Sequence, residues 1–186
     1  MSISGPSGCG KSTLLTLLGL LDAPTSGQFI LAGQDVSALT INERATLRNA
    51  HIGFVFQSFE LLPGLTALEN VMLPSELKSE DNPKEKGEYF LERVGLSDRQ
   101  HHYPNQLSGG EQQRVAIARA FACSAKILFA DEPTGNLDPK NGKLISDLLF
   151  EVNSEADNAL VIVTHDQDLA SQCDKKIELK LGKIVG

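Results

Sequence analysis

The sequence lacks tryptophan altogether and has only two tyrosines and three cysteines among its 186 residues. Cys9, Cys123 and Cys173 are odd in number and far apart, which excludes a disulfide framework and a paired metal-ligand motif. This pattern favours reduced thiols in a cytosolic protein. Long apolar runs are also absent, since the longest, residues 14–21, falls far short of the ~20 residues that a membrane-spanning helix needs.

Positively charged residues are fewer than negatively charged ones. The chain has 17 Lys and Arg against 24 Asp and Glu, a net charge of −7, and the acidic residues are scattered. A protein that binds duplex nucleic acid is usually basic or carries a basic stripe. The composition therefore disfavours a nucleic-acid partner, and the length suits a single domain spanning residues 1–186.

A glycine-rich segment near the start carries the first chemical signal. Residues 5–12, GPSGCGKS, fit the phosphate-loop pattern G-x-x-x-x-G-K-[ST]. Bare glycines leave backbone N–H groups free to ring phosphates, Lys11 can reach the β- and γ-phosphates, and the Ser12 hydroxyl can ligate Mg²⁺. A helix is predicted over 11–20, apolar nearly all round and hence buried, and its N-terminus adds positive potential.

Two carboxylates follow a predicted buried strand at 127–130. Ligands bind at the carboxyl edge of an α/β sheet, so Asp131 would face magnesium and Glu132 would polarise a water for attack on the γ-phosphate. Taken alone, such a pair is more often a solvated turn. The phosphate loop upstream makes the functional interpretation the better one.

A second anion-binding helix start is predicted at 107–114, LSGGEQQR. Ser108 would cap the helix, and Gly109 and Gly110 would offer bare N–H groups to a ligand. The alternative is an ordinary capped helix whose glycines only form the turn, and the residues themselves leave both interpretations open.

The order of elements predicts an α/β fold with a mainly parallel sheet. Strands are expected at 1–4, 29–31, 52–56, 127–130, 160–164 and 176–181, and helices at 41–49, 84–94, from about 110, at 140–153 and shortly after His165. Residues 58–124 carry no strand signal and begin with a Pro- and Leu-rich loop. They are predicted to be a helical subdomain inserted between two parts of a catalytic core, 1–57 and 125–186.

These motifs together resemble an ATP-binding cassette (ABC) ATPase. The resemblance covers the whole chain, with Walker A at 5–12, the Q-loop at Gln57, the LSGGEQ signature at 107–112, Walker B ending at Asp131–Glu132, the D-loop at 136–138 and the switch histidine at His165. It implies a RecA-like P-loop NTPase fold with an inserted helical subdomain.

The resemblance also implies a role for each motif residue. The phosphates of ATP would be bound by Gly5, Pro6, Ser7, Gly8, Cys9, Gly10, Lys11, Ser12 and Thr13. Mg²⁺ would be held by Ser12, Gln57 and Asp131. The catalytic residues would be Lys11, Gln57, Glu132 as the base and His165, which would hold the γ-phosphate. Ser108 and Gly110 would close over ATP on a second copy in a head-to-tail homodimer, and Asp138 would communicate across it.

Three stretches, 54–57, 61–74 and 130–138, resemble the lipoprotein-release and macrolide-export group. This implies ATP hydrolysis that drives an integral-membrane permease from the cytoplasmic face of a bacterial inner membrane. One alternative is a non-transport ABC ATPase. Such proteins insert a long coiled coil between the Q-loop and the signature, whereas Gln57 and Ser108 are only 51 positions apart in this chain. The other alternative is a poorly active cassette.

In the family, an antiparallel β arm and an aromatic residue that stacks on adenine precede the phosphate loop. In this sequence only residues 1–4 precede it. We therefore expect a truncated copy in which Met1 is an internal methionine.

Overall fold

The computed structural model describes residues 1–156 and 158–185, and six strands among them form one sheet. In chain order the strands are β1 (Ser2–Ser4), β2 (Ile30–Leu31), β3 (Gln34–Asp35), β4 (Ile52–Val55), β5 (Ile127–Asp131), β6 (Ala159–Val163), β7 (Lys176–Lys180) and β8 (Lys183–Ile184). The helices are α1 (Lys11–Leu18), α2 (Ile41–His51), α3 (Ala67–Leu77), α4 (Pro83–Arg93), α5 (Gly109–Ala122), α6 (Pro139–Glu155) and α7 (Gln167–Ser171). Short 3₁₀ turns lie at Ser97–Arg99 and Pro104–Gln106.

The sheet has the order β4-β5-β6-β1-β7-β8. Its first four neighbouring pairs are parallel, and only the last, between β7 and β8, is antiparallel. Because parallel strands end at one edge, the segments after β1, β4, β5 and β6 meet there. The expected α/β fold with a mainly parallel sheet is confirmed.

The short strand β1 lies at the centre of this sheet. It pairs with β6 on one side and β7 on the other, with Ser2 opposite both Ile162 and Lys176. Ile3 is 1% exposed. Burial on both faces explains why so few residues suffice to form a central strand and aim the phosphate loop.

The first helix is shorter and less buried than expected. It ends at Leu18, and Leu15 is its only fully buried residue. A side chain at Gly19 would collide with the Phe54 ring, so the chain turns where this glycine packs against β4. Leucines all round the helix did not mean burial all round, and the prediction of a fully buried helix was wrong.

The Pro- and Leu-rich stretch was expected to be a loop, but much of it is the helix α3. Thr66 caps this helix: its Oγ1 accepts a hydrogen bond from the Glu69 N–H, and the Glu69 carboxylate accepts one from the Thr66 N–H. Pro74 lies inside the helix near its end. The ribbon of β2 and β3 and the hairpin of β7 and β8 are further details that the sequence did not predict.

Two apolar clusters hold the layers together. One surrounds β1 and α1 beneath the phosphate loop, with Ile3, Cys9 and Leu15 among its members. The other lies between the sheet and helices α3 to α6. In the part of the chain that the structure describes, no helix is both long enough and apolar enough to cross a membrane.

Candidate nucleotide-binding site

The phosphate loop connects β1 to α1, and all three of its glycines have conformations that other residues rarely adopt. Gly5 has a φ of 150°, Gly8 a φ of 76° and Gly10 a φ of 103°. A Cβ on Gly5 would collide with the backbone carbonyl oxygen of Leu179 and with the Cys9 sulfur. Gly10 occupies the cap position of α1 in the left-handed region. Glycine is thus needed at both ends of the loop.

The Lys11 ammonium lies over this loop. Its Nζ donates hydrogen bonds to the carbonyl oxygens of Gly5 at 2.9 Å and Pro6 at 3.2 Å. The first turn of α1 contains no acidic side chain that would offset this charge. The lysine and the helix N-terminus therefore add to one positive potential, which suits a polyphosphate.

Cys9 supports the loop from below. Its side chain is 4% exposed and belongs to the apolar cluster around β1. Its N–H donates to the Pro6 carbonyl at 3.3 Å, and its carbonyl accepts from the Gly182 N–H at 3.0 Å. With the thiol buried, only the backbone of Cys9 is placed to take part in phosphate binding.

A cleft of about 300 Å³ lies between the loop and the end of β5. Its lining consists of Ser7, Gly8, Gly10, Lys11, Ser12, Thr13, Asp131 and Glu132. Gly5 and Pro6 instead line a neighbouring cleft together with His165. Two motifs 120 positions apart in the sequence, at Lys11 and Asp131, thus face one space.

Asp131 is the last residue of β5 and is half-buried. Burial raises the pKa of its carboxyl, and the neighbouring Glu132 raises it further, while Lys11 acts in the opposite direction. A carboxylate that is costly to ionise gains from a nearby cation. Together with the Ser12 hydroxyl, it offers the oxygen ligands that Mg²⁺ prefers.

Glu132 is held in an unusual conformation beyond the end of β5. Its φ of 44° is left-handed, and its N–H donates to the Val163 carbonyl at 2.8 Å. Its carboxylate Oε2 accepts from the Thr164 hydroxyl and the His165 N–H, both at 3.3 Å, and lies 2.9 Å from His165 Nδ1. Backbone strain of this kind persists where surrounding contacts hold it. The contacts join Glu132 to the switch histidine.

Gln57 follows β4 and contacts the D-loop. Its Nε2 donates to Asn136 Oδ1 at 3.2 Å, and Asn136 Nδ2 donates back to the Gln57 carbonyl at 2.9 Å. Gln57 is not among the residues that line the phosphate cleft. The structure therefore brings the Q-loop and the D-loop together, and metal binding by Gln57 stays a prediction.

The signature serine forms a complete capping box. The Ser108 hydroxyl and N–H both donate to Glu111 Oε2, at 2.7 and 2.8 Å, and the Glu111 N–H donates to Ser108 Oγ at 3.3 Å. Hydrogen bonding by the Ser108 hydroxyl and N–H lowers the pKa of Glu111. The local structure is that of the ordinary capped helix, so contact of Ser108 and Gly110 with a ligand stays a prediction.

The start of α6 carries the remaining predicted residue. Asp138 caps this helix through Oδ1, which accepts from the Lys140 and Asn141 N–H groups at 3.1 and 3.2 Å. The Asn141 amide bonds to Oδ2 and is the main cause of a lowered Asp138 pKa. A Cβ on Gly110 would lie 3.7 Å from Asn141 Cγ, so the signature and D-loop segments are neighbours.

Sequence reasoning assigned no role to several residues that support the site. Thr164, fully buried, bonds to Glu132. Gln113, also buried, donates from Nε2 to the Pro133 carbonyl at 2.7 Å and ties α5 to the segment after Glu132. Buried polar side chains of this kind need a hydrogen-bond partner. A threonine directly after four apolar strand residues was a signal that could have identified Thr164.

The chain belongs to the ABC transporter family, because the family model matches residues 1–135. Individual relatives narrow the group within this family. It is 51% identical over 188 residues to the lipoprotein-releasing system ATP-binding protein LolD of Aquifex aeolicus, covering 100% of this chain and 84% of that protein. It is 50% identical over 186 residues to the uncharacterized ABC transporter ATP-binding protein YbbA of Escherichia coli K12, covering 99% and 82%. The resemblance to this group is confirmed.

A solved structure agrees with the fold. The dimeric ATP-binding cassette MJ0796, in a post-hydrolysis state bound to ADP and Pi, matches with a TM-score of 0.89 and 44% identity, covering 98% of this chain and 82% of that one. Between Gln57 and Ser108, the described helices are α3, α4 and two 3₁₀ turns. This arrangement disfavours the alternative with a long coiled coil.

Proposed function

We propose that this protein binds ATP in the cleft between Lys11 and Asp131 and hydrolyses it to ADP and phosphate to drive a membrane permease for export or lipoprotein extraction. The observation that carries the proposal is the geometry around Glu132. Its carboxylate borders the same cleft as Lys11 and lies 2.9 Å from His165 Nδ1. A carboxylate in this place can accept a proton from an attacking water.

The remaining residues divide the work. Lys11, the loop and the start of α1 bind and orient the phosphates, and His165 contacts the γ-phosphate while fixing the Glu132 carboxylate. The oxygen donors of Ser12 and Asp131 line the cleft and fit Mg²⁺, which Gln57 would also ligate, and the charge of the cation would offset that of the phosphates. Ser108 and Gly110 complete the site of a second copy, with Asp138 at the contact, in a head-to-tail homodimer. The core at 1–57 and 125–186 carries the chemistry, and the helical subdomain at 58–124 carries the signature.

The permease would dock beside the Q-loop. An apolar groove of about 460 Å³ lies between β4 and α3, with Phe54, Phe56 and Leu73 in its wall. The share of apolar side chains suits a short segment of an integral-membrane protein. We propose that this contact holds the protein on the cytoplasmic face of the membrane. The relatives named LolD, and MacB of Rhodopirellula baltica, a macrolide export ATP-binding/permease protein of which this chain covers 28%, support a transport role.

The proposal is tested by two substitutions with opposite effects on binding. Lys11→Ala should abolish nucleotide binding, because the positive charge over the loop is lost. Glu132→Gln should retain ATP, lower turnover by about 10²–10⁴-fold and accumulate an ATP-bound dimer, because only the base is removed. ATPase assays and size-exclusion chromatography with ATP measure these effects.

The matched control is Glu88→Gln, which removes one exposed carboxylate from α4. It should leave binding and turnover unchanged. A wild-type protein without ATPase activity, or a Glu132→Gln variant that turns over normally, would refute the proposed function.

A further inference from the structure

Two segments that follow different strands meet at Gln57 and Asn136. Gln57 comes two positions after β4, and Asn136 lies between β5 and α6. They share two hydrogen bonds, from Gln57 Nε2 to Asn136 Oδ1 at 3.2 Å and from Asn136 Nδ2 to the Gln57 backbone carbonyl at 2.9 Å. The Asn136 side chain therefore contacts both the backbone and the side-chain amide of Gln57.

The direction of each bond follows from the chemistry of the groups. A backbone carbonyl can only accept, so the Asn136 amide must turn its nitrogen toward Gln57 O. Its oxygen then faces the Gln57 side chain and can only accept, so Gln57 must present Nε2. The carbonyl oxygen Oε1 is therefore the free end of the Gln57 amide, and no hydrogen bond to it occurs within residues 1–156 and 158–185.

A glycine provides the space for this amide. A Cβ on Gly135 would lie 2.8 Å from Gln57 Nε2 and 3.3 Å from its Cδ. The same Cβ would lie 3.4 Å from Cβ of Glu132. Because any side chain at Gly135 would push the amide away, the bare backbone there lets the Gln57 amide lie against the segment that follows Glu132.

Resting on the function proposed above, we propose that Asn136 is a positioning residue that orients the Gln57 amide for catalysis. It occupies Nε2 and leaves Oε1 free. Oxygen is the only atom of the amide that can ligate Mg²⁺ or accept a hydrogen bond from the attacking water. Asn136 acts through Gln57 and does not itself touch the nucleotide.

Steady-state kinetics test this role. Asn136→Ala should lower kcat about three- to tenfold, the change in rate that corresponds to one net hydrogen bond. KM for ATP should stay within about twofold, since the phosphate loop is untouched. Asn42→Ala, which removes an exposed asparagine from α2, is the control and should change neither constant. An unchanged or increased kcat of Asn136→Ala would overturn the proposal.

A double-mutant cycle separates positioning from an independent effect. If Asn136 acts through Gln57, the Gln57→Ala/Asn136→Ala double variant should have the kcat of Gln57→Ala alone. Multiplication of the two single effects would contradict the proposal. Gly135→Ala gives a second route, because its methyl group displaces the amide while Asn136 remains. It should lower kcat as Asn136→Ala does, whereas Gly64→Ala, whose methyl would enter open space, should not.

A measurement without turnover keeps this inference separate from the ATPase proposal. The side-chain amide NMR signals of Gln57, identified by their loss in Gln57→Ala, should shift in nucleotide-free Asn136→Ala and stay in place in Asn42→Ala. If the wild type lacks ATPase activity, the proposed function fails, and this experiment still decides whether Asn136 holds Gln57. Unshifted signals would show that it does not.

Discussion

The surroundings of two aspartates near the site shift their carboxyl pKa values in opposite directions. Burial and the neighbouring Glu132 raise the pKa of Asp131, whereas hydrogen bonds from Asn141 and the start of α6 lower that of Asp138. A raised carboxyl pKa means that the native state binds the proton more tightly than the unfolded chain. Ionised Asp131 therefore lowers stability, and ionised Asp138 adds to it.

The pH dependence of two variants should reveal this difference. The stability that Asp131 contributes is complete at pH values below the pKa it has in the unfolded chain. This contribution is lost as the pH rises through the raised pKa of the native state. Asp131→Asn should thus be more stable than wild type at neutral pH, and the gain should vanish toward pH ~4. Asp138→Asn should be less stable at neutral pH, and its deficit should shrink as pH falls through the lowered pKa. Urea unfolding followed by circular dichroism measures both, and a destabilised Asp131→Asn at neutral pH would contradict the prediction.

The loop after Gln57 shows how one element holds another. Phe59 and Glu60 have φ values of 63° and 50°, left-handed for non-glycine residues. The Arg119 guanidinium on α5 donates to the carbonyl oxygens of both, at 2.7 and 2.5 Å. Burial lowers the Arg119 pKa, so this charge is desolvated to make the contact. The helix that begins at the signature thus fixes the loop beside the apolar groove.

Hydrogen exchange should report this contact. Arg119→Met keeps the aliphatic stem but removes the donors, so the amides of Phe59 and Glu60 should exchange at least about tenfold faster. Arg99→Met, which removes an exposed arginine that pairs with Glu111, is the control and should leave these amides unchanged. Equal exchange in Arg119→Met and wild type would mean that the loop holds its conformation without the arginine.

Sequence patterns predicted the sheet and the motif positions better than the contacts between motifs. The apolar run before Asp131 predicted β5 because a strand buried on both faces needs no alternation. The helix α3 was not predicted because Pro63 and Pro74 favour a loop, although Thr66 and Glu69 form a capping box that is readable in the sequence. The pairing of Gln57 with Asn136 could not be predicted, since the two residues meet only through the register of β4 and β5.

At the scale of the whole molecule, the sheet and the helices of the strand-free stretch share one apolar core. Val55, Leu128 and Ile162 from the strands join Leu91 and Ile117 from the helices in a single buried cluster. The boundaries of a separate helical subdomain therefore stay a prediction. Polar contacts also orient the strand-free stretch relative to the core. Arg93 of α4 bonds to Glu155 at 2.7 Å and Glu151 at 3.4 Å, both on α6.

The Arg93 contact should contribute measurably to the stability of the whole chain. Its side chain is 27% exposed and reaches two carboxylates on another helix, so Arg93→Met should lower the free energy of unfolding by about 0.5–1 kcal/mol. Lys84→Met removes a cation from the same helix, but Lys84 is 68% exposed and pairs with Glu88, one turn away at 3.7 Å. That variant should stay near wild type in urea unfolding. Equal losses in both variants would show that joining α4 to α6 adds nothing beyond an ordinary surface ion pair.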